Sequence, residues 1–424
     1  MTVTVPATGS HSPNHLPTDV GVLHTAQEAL AAADALATEF AADSAERELH
    51  GKSLLPQLRR VAESGLLGIV VPAAHGGPGL PASTKVEVVR RLSRGDGALG
   101  QLLLSHFVIG EAISGLGEAA PAPRIYADTL AGAQLGNATA ERGTATALDR
   151  RTSVTQRPDG KWVLNGTKYY ATGALGAAWI AVAAVIAGRE DETATVFVRP
   201  EQDGVTLDLD KWSAFGQRGT ASGEVRLTDV VVDADLVIEE GAAPDPVDAP
   251  PTVLGAYDQA LHAAIDIGIA RAALEDGAHF VRTTSRPWKE AVLAGVTSAA
   301  EEPHVVRRFG ELTARLYALE ALLARGTAII DAGQSEAELS RDTAAEASLT
   351  VAAAKALAQE YAVEIASGIF ELTGASGTDS AVNLDRHWRN VRTHSLHDPA
   401  RWKYVHLGNH TLHGTRPPRL GLVL

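Results

Sequence analysis

The hydrophobic pattern of this chain changes character twice, and that succession limits the available folds more than any other feature. From Thr25 to about Leu135 the spacing predicts helices, with Leu30, Ala33, Leu36 and Phe40, then Leu54 to Leu67, then Leu102 to Leu116. Pro72, Gly76-Gly77-Pro78-Gly79 and Pro81 punctuate that run. Near Asn137 the pattern turns to short β-type segments. Ser153 to Arg157 and Lys161 to Leu164 flank Pro158-Asp159-Gly160 as a hairpin, with Asn165-Gly166 as a second turn. Trp179 to Ile186, Thr195 to Arg199 and Glu224 to Val232 follow with no helical pattern between them. Four prolines between Pro244 and Pro251 read as a linker. Helical stripes then resume: Leu261, Ile265, Ile269 and Ala272; Leu312, Leu316, Leu319 and Leu323; Leu357, Tyr361, Ile365, Ile369 and Leu372. Ser335 and Glu338 read as a capping box that opens the third of these helices.

The expected fold is α+β. A flexible tail covers 1–19, an N-terminal helical domain 20–135, a middle antiparallel β barrel or sandwich 136–243, a linker 244–251, and a C-terminal helical bundle 252–424. At 424 residues the chain exceeds one ordinary core and suits two or three packed regions. Thirty-seven Lys and Arg against 51 Asp and Glu leave a formal charge of -14, which repels nucleic acid and anionic membranes. There is no cysteine, so thiolate chemistry and Cys-ligated metal centres are excluded, and redox chemistry would need a borrowed cofactor. The longest apolar run, near Trp179 to Ile186, falls short of the ~20 residues of a membrane span. Residues 1–19 lack a basic start and an apolar stretch, so the expected location is the cytoplasm. No GxGxxG fingerprint follows a strand, so electrons are not expected to arrive on a nicotinamide bound here.

Three segments could carry chemistry. Asn383 to Pro399, continuing through Arg401, Trp402, Lys403 and Tyr404, concentrates Arg, His and Trp in an acidic chain. It reads either as a loop of surface ion pairs or as an anion-binding, proton-handling wall of a cofactor pocket, since Arg grips phosphate bidentately and His titrates near neutrality. A metal set of His394, His397 and Asp398 lacks an HExxH or a second ligand pair, so no metal is expected. Leu164 to Ala174 reads as a hairpin with a bulge, yet Thr172-Gly173 also offers a hydroxyl and an open backbone N–H to a planar ring. Trp212 to Gly223 sets a Trp and small hydroxylic residues before a strand. Trp212 alone reads as core.

Taken in order, Leu135-Gly136-Asn137-Ala138, Thr172-Gly173-Ala174, Gly216-Gln217-Arg218 and the run from Leu384 to Tyr404 resemble the acyl-CoA dehydrogenase superfamily over nearly the whole chain. The wording is nearest its flavin-dependent monooxygenase branch, the dibenzothiophene monooxygenases and sulfur-acquisition oxidoreductases. The resemblance implies a flavin between the β domain and the C-terminal bundle. Asn137 and Thr172 match positions that hydrogen-bond the ring, Trp212 an aromatic that packs on it, and Ser222 and Arg282 its phosphate side. His106 matches a histidine on the substrate side, and His397 and Asp398 the pair near the reactive edge. Where a dehydrogenase carries a Tyr-Glu-Gly-Thr stretch with its base, this chain has Leu396-His397-Asp398-Pro399, a shorter carboxylate that would be misplaced for α-proton abstraction.

The resemblance therefore implies a two-component monooxygenase. A separate NAD(P)H-dependent flavin reductase supplies reduced FMN, and this chain uses it with O2 to oxygenate a small sulfur-containing substrate. Thr172 and His397 supply hydrogen bonds, and His106 or His397 acts as base. Alternatives are an FAD-dependent acyl-CoA dehydrogenase with Asp398 as base, an N-oxygenase of an amine, and a non-catalytic scaffold. The family habit of building flavin sites from two subunits implies a homo-oligomer, a tetramer.

Overall fold

The computed structural model describes residues 17, 20–146, 149–242 and 249–418. The expected tail (apart from residue 17) and most of the expected linker lie outside them. Helices α1 (Ala26–Ala41), α2 (Ser44–Leu49), α3 (Leu55–Glu63), α4 (Ala82–Gly95), α5 (Gly97–Ala112) and α6 (Ala122–Leu130) form the first layer. Their starts follow from local chemistry. Thr25 and Glu28 close a capping box on α1, and Asp96 accepts from the Ala98 and Leu99 N–H groups to begin α5. Among the described residues, α5 with the turn after it is the one segment apolar and long enough to cross a membrane, but 61% of that window is buried inside the fold.

The middle region is one sheet: β1 (Gln134–Ala138), β2 (Ser153–Gln156), β3 (Trp162–Tyr169), β4 (Ala177–Ile186), β5 (Arg189–Val198), β6 (Val205–Asp208), β7 (Glu224–Val232) and β8 (Val237–Ala242). The path runs β6-β7-β3-β2-β4-β5-β8, with β1 beside β4. Most pairs are antiparallel, as expected. Two are not: β1 and β2 both run parallel to β4 and share its one edge, β1 from Ala177 to Val182 and β2 at Val185 and Ile186. The Pro158-Asp159-Gly160 hairpin forms between β2 and β3. Asn165-Gly166 is not a second turn. It lies within β3 as an irregularity in the pairing with β7, where the Asn165 side chain bonds Asp229 instead.

The last layer comprises α7 (Leu254–Thr283), α8 (Lys289–Leu293), α9 (Pro303–Ser335), α10 (Arg341–Thr373), α11 (Asp385–His394) and α12 (Ala400–His413). The apolar stripes read from the sequence face one core, with Leu312, Leu316, Leu319 and Leu323 of α9 and Ile365 and Ile369 of α10 all buried. The α7 helix is buried on nearly every side and crosses α4 so closely that a Cβ on Gly268 would overlap the Arg90 carbonyl oxygen. The expected capping box is displaced. Ser335 ends α9 and donates to the Asp331 carbonyl, whereas Ser340 caps α10 by accepting from the Thr343 N–H at 3.0 Å. Ser340 sits at the position where the chain turns from extended to helical, which Ser335 does not.

Candidate active site

Two polar clusters are built on elements that pack against α5, which contacts both β1 and α7. The first is built on the turn after β3. The Asn137 N–H donates to the Thr172 carbonyl at 3.1 Å, and Ser105 Oγ of α5 donates to the same oxygen at 3.2 Å. Thr172 Oγ1 stands 2.9 Å from Ser222 Oγ, which donates to Thr220 Oγ1 at 2.9 Å, and that hydroxyl donates to the Gln217 carbonyl at 2.8 Å. Ser222 is thus buried beside Thr172. Gly173, at φ +81°, owes its identity to packing, since a Cβ there would run into Ser105 Oγ. Asn137 Oδ1 is buried and has no hydrogen-bond partner among the described residues.

Trp212 is half-buried and not core. Its Nε1 donates to the Gln217 carbonyl at 2.9 Å, and its ring meets exposed Tyr170 edge-on at 6.0 Å. The loop carrying it is docked on α11, where the Gln217 N–H donates to Asn390 Oδ1 at 2.7 Å and Phe215 stacks on Trp388.

His106 does not open onto either cluster. Its Nε2 is 2.8 Å from the Leu67 carbonyl and its Nδ1 accepts the Leu135 N–H at 3.2 Å, so both ring nitrogens are spent on backbone. Complete burial pushes its pKa down to about 4.

The second cluster centres on the turn between α11 and α12. His397 is 44% exposed, and its Nδ1 is 3.5 Å from Asp398 Oδ1, long for a hydrogen bond. Lys403 Nζ of α12 holds the other carboxylate oxygen at 2.6 Å. Burial alone would raise the Asp398 pKa, but His397, Lys355 and Lys403 outweigh it and drive the group well below the usual carboxylate range. The His397 ring lies on His262 of α7 with centroids 3.9 Å apart. His262 Nδ1 is 2.9 Å from His394 Nε2, His394 Nδ1 is 2.6 Å from Asp266 Oδ1, and Lys355 of α10 donates to Asp266 Oδ2 at 2.9 Å. Asp258, one turn before His262, is fully buried, and that burial raises its carboxyl to about 6.

Sequence reasoning missed Asp258, His262, Asp266 and Lys355. A signal existed: Asp258, His262 and Asp266 recur every four residues, a polar stripe in the mostly apolar first half of α7.

The arginines of the Leu384–Tyr404 run are divided in use. Arg386 donates to Asp276 at 2.5 Å, His387 Nε2 is 2.8 Å from the same carboxylate, and Arg389 pairs with Glu48 and Asp385. That half of the motif is an ion-pair clamp joining α11 to α2 and α7, whereas His394, His397 and Asp398 belong to the second cluster. Arg282 lies apart from the second cluster. It is exposed in the last turn of α7, twenty residues beyond His262, which the helical rise converts to ~30 Å.

Residues 25–132, 136–230 and 260–402 match the N-terminal, middle and C-terminal domains of acyl-CoA dehydrogenase. The chain belongs to the acyl-CoA dehydrogenase family. Within that family it falls with the flavin monooxygenases. It is 33% identical over 399 residues to the dibenzothiophene monooxygenase of Rhodococcus qingshengii, covering 92% of this chain and 94% of that protein. It is 30% identical to the probable FMNH2-dependent monooxygenase SfnC of Pseudomonas putida, over 92% of this chain and 96% of that one. The FMN-bound crystal structure of TdsC from Paenibacillus sp. A11-2 superposes with a TM-score of 0.86 at 30% identity, covering 93% of this chain and all of that one. As an acyl-CoA dehydrogenase family member the chain has the helical, β and helical order that its sequence predicts.

Proposed function

We propose that this chain is the oxygenase of a two-component system that uses reduced FMN and O2 to oxygenate a small sulfur-containing substrate. The observation that carries this reading is the condition of Asp398, which stands where a dehydrogenase of this family holds its base. A carboxylate gripped by Lys403 and driven strongly acidic has little affinity for an α-proton, so dehydrogenation is disfavoured by electrostatics as well as by length. The monooxygenases to which the chain is similar over nearly its full length support the same reading.

The residues of the first cluster fit a flavin. Asn137 Oδ1 is a buried acceptor in need of a donor, which a ring N–H supplies, and Thr172 presents a hydroxyl beside it. Trp212 and Tyr170 offer aromatic surface at the mouth of that cluster. When bound, reduced FMN supplies the electrons with which O2 is activated. One oxygen atom passes to the sulfur lone pair and the other leaves as water. Thr172 and Asn137 would hold the cofactor by hydrogen bonds. His397 takes the base role expected of one of two histidines, because His106 has neither a free nitrogen nor a suitable pKa. His106 is a positioning residue that ties α5 to β1.

This reading implies a transient NAD(P)H-dependent flavin reductase as partner and a cytoplasmic location where reduced nicotinamide is available. It also implies a homotetramer. The test is to mix the protein with photoreduced FMN and then 18O2 in the presence of dibenzothiophene and simple alkyl sulfides. One 18O atom in the sulfoxide is expected. Absence of labelled product together with anaerobic flavin bleaching by acyl-CoA would overturn the reading in favour of a dehydrogenase.

A further inference from the structure

The His397 ring lies against a second ring, that of His262, which belongs to a chain of hydrogen bonds that ends deep in the bundle. Lys355 Nζ is completely buried and can only donate, so it fixes Asp266 Oδ2 as an acceptor at 2.9 Å. The other oxygen, Oδ1, faces His394 Nδ1 at 2.6 Å, and a carboxylate there requires the proton on Nδ1. Burial, against the pull of Asp266 and with Lys355 adding to it, keeps the His394 imidazole neutral at pH 7. A neutral ring with its proton on Nδ1 carries a lone pair on Nε2, and that atom is 2.9 Å from His262 Nδ1. His262 must therefore donate from Nδ1, which leaves its own Nε2 as the lone-pair atom on the side of Asp258, 3.9 Å away. The face of this neutral ring lies against His397. A neutral platform accepts a protonated His397 without like-charge repulsion, which a second imidazolium would not.

We propose that Lys355, Asp266 and His394 form a tautomer-fixing relay whose output is His262, and that His262 is the positioning residue on which the His397 ring is held. Its role in turnover rests on the monooxygenase reading above, but the relay itself does not. Each member has a single job: the lysine orients the carboxylate, the carboxylate sets His394, and His394 sets His262.

The logic makes Asp266→Asn decisive. Lys355 still needs an acceptor, so the new amide turns its oxygen to the lysine and its NH2 to His394 Nδ1. That nitrogen must now accept, and the proton moves to Nε2 of His394 and, in turn, to Nε2 of His262. Solid-state 15N spectra of the full-length, histidine-labelled protein without FMN read this directly, with His262→Gln and His394→Gln for assignment. In the parent at pH 7 both rings are expected as Nδ1–H tautomers, and in Asp266→Asn both as Nε2–H. A parent ring that is doubly protonated or protonated on Nε2 overturns the relay, and this measurement stands even if the variant fails to fold. Unchanged tautomers in a folded Asp266→Asn overturn it as well. With reduced FMN and a sulfide, Asp266→Asn is expected to lower the fraction of flavin oxidised productively by about tenfold at unchanged FMN affinity. Switched tautomers with full coupling would remove the positioning role. A parent that makes no product at all defeats the functional reading, while the spectra still decide the relay.

Discussion

Asp258 and Asp398 are buried within reach of the same lysines, yet their surroundings push them in opposite directions. At Asp258 burial outweighs the pull of His397, Gln259 and Lys355, and the pKa rises from 3.8 to about 6, so the folded state holds its proton more tightly than the unfolded state does. Its stabilising contribution is present at pH values below about 4 and is lost as pH rises through about 6. Near neutrality the shift costs on the order of 3 kcal/mol. Asp398 has the opposite sign, adding stability above its unfolded pKa and losing it only in strong acid. Asp258→Asn is therefore expected to raise the melting temperature, by little below about pH 4, increasingly between about pH 4 and pH 6, and by a nearly constant amount above about pH 7, while a difference that does not grow between about pH 4 and pH 6 would refute the assignment. Asn137 behaves conversely with respect to ligand. Its orphaned Oδ1 is a liability without a donor, so Asn137→Ala is expected to cost the FMN-free protein nothing or to stabilise it by up to about 1 kcal/mol. The same variant is expected to bind FMN about tenfold more weakly, as titration calorimetry would show. That Asn137 and Thr172 share one cluster is legible from the sequence only through the motifs in which each stands beside a glycine. His262 and Asp266 were not legible there, because their partners, His394 and Lys355, lie 132 and 89 positions away in the chain, and only the fold brings them together.

Among the elements, helices proved easier to read than strand partners for a physical reason. A helix satisfies its hydrogen bonds within one segment, so Leu312, Leu316, Leu319 and Leu323 declare α9 without reference to anything else. A strand takes its partner from elsewhere. The parallel alignment of β1 on β4 joins segments separated by some forty residues, and no local pattern encodes it. Caps fall between these cases, since Ser335 and Ser340 are equally good cap residues and only backbone geometry decides which one serves. Ser340→Ala is expected to cost about 1 kcal/mol through the lost bond to the Thr343 N–H. Ser335→Ala is expected to change stability by less than about 0.5 kcal/mol, because its hydroxyl only bonds back to Asp331 at the end of α9. Denaturant melts of the two variants under one set of conditions compare them directly, and equal losses would restore the displaced capping box.

At the scale of the whole molecule the position of Arg282 at the end of α7 bears on assembly. If the proposed flavin ring lies within reach of His397, its phosphate cannot extend ~30 Å along α7 to an arginine at the far end of that helix. If Arg282 serves a flavin, it serves one held by another copy of the chain. The outer surface of the bundle is suited to such a neighbour, with Trp402 56% and Leu412 75% exposed on α12 alongside Tyr404 and Val405. Light scattering at micromolar concentration is accordingly expected to give a tetramer of the 44.3 kDa chain. Mixing variants tests the shared site more sharply. Arg282→Ala and Asn137→Ala alone are each expected to lose most FMN binding. Co-expressed in equal amounts, they form assemblies in which half of the subunits keep Asn137 and half of those face an intact Arg282. About a quarter of the parental sites should then bind FMN with parental affinity, because a two-fold interface lets each copy complete the other. If both residues belonged to a site within one chain, every subunit would remain defective and mixing would restore none.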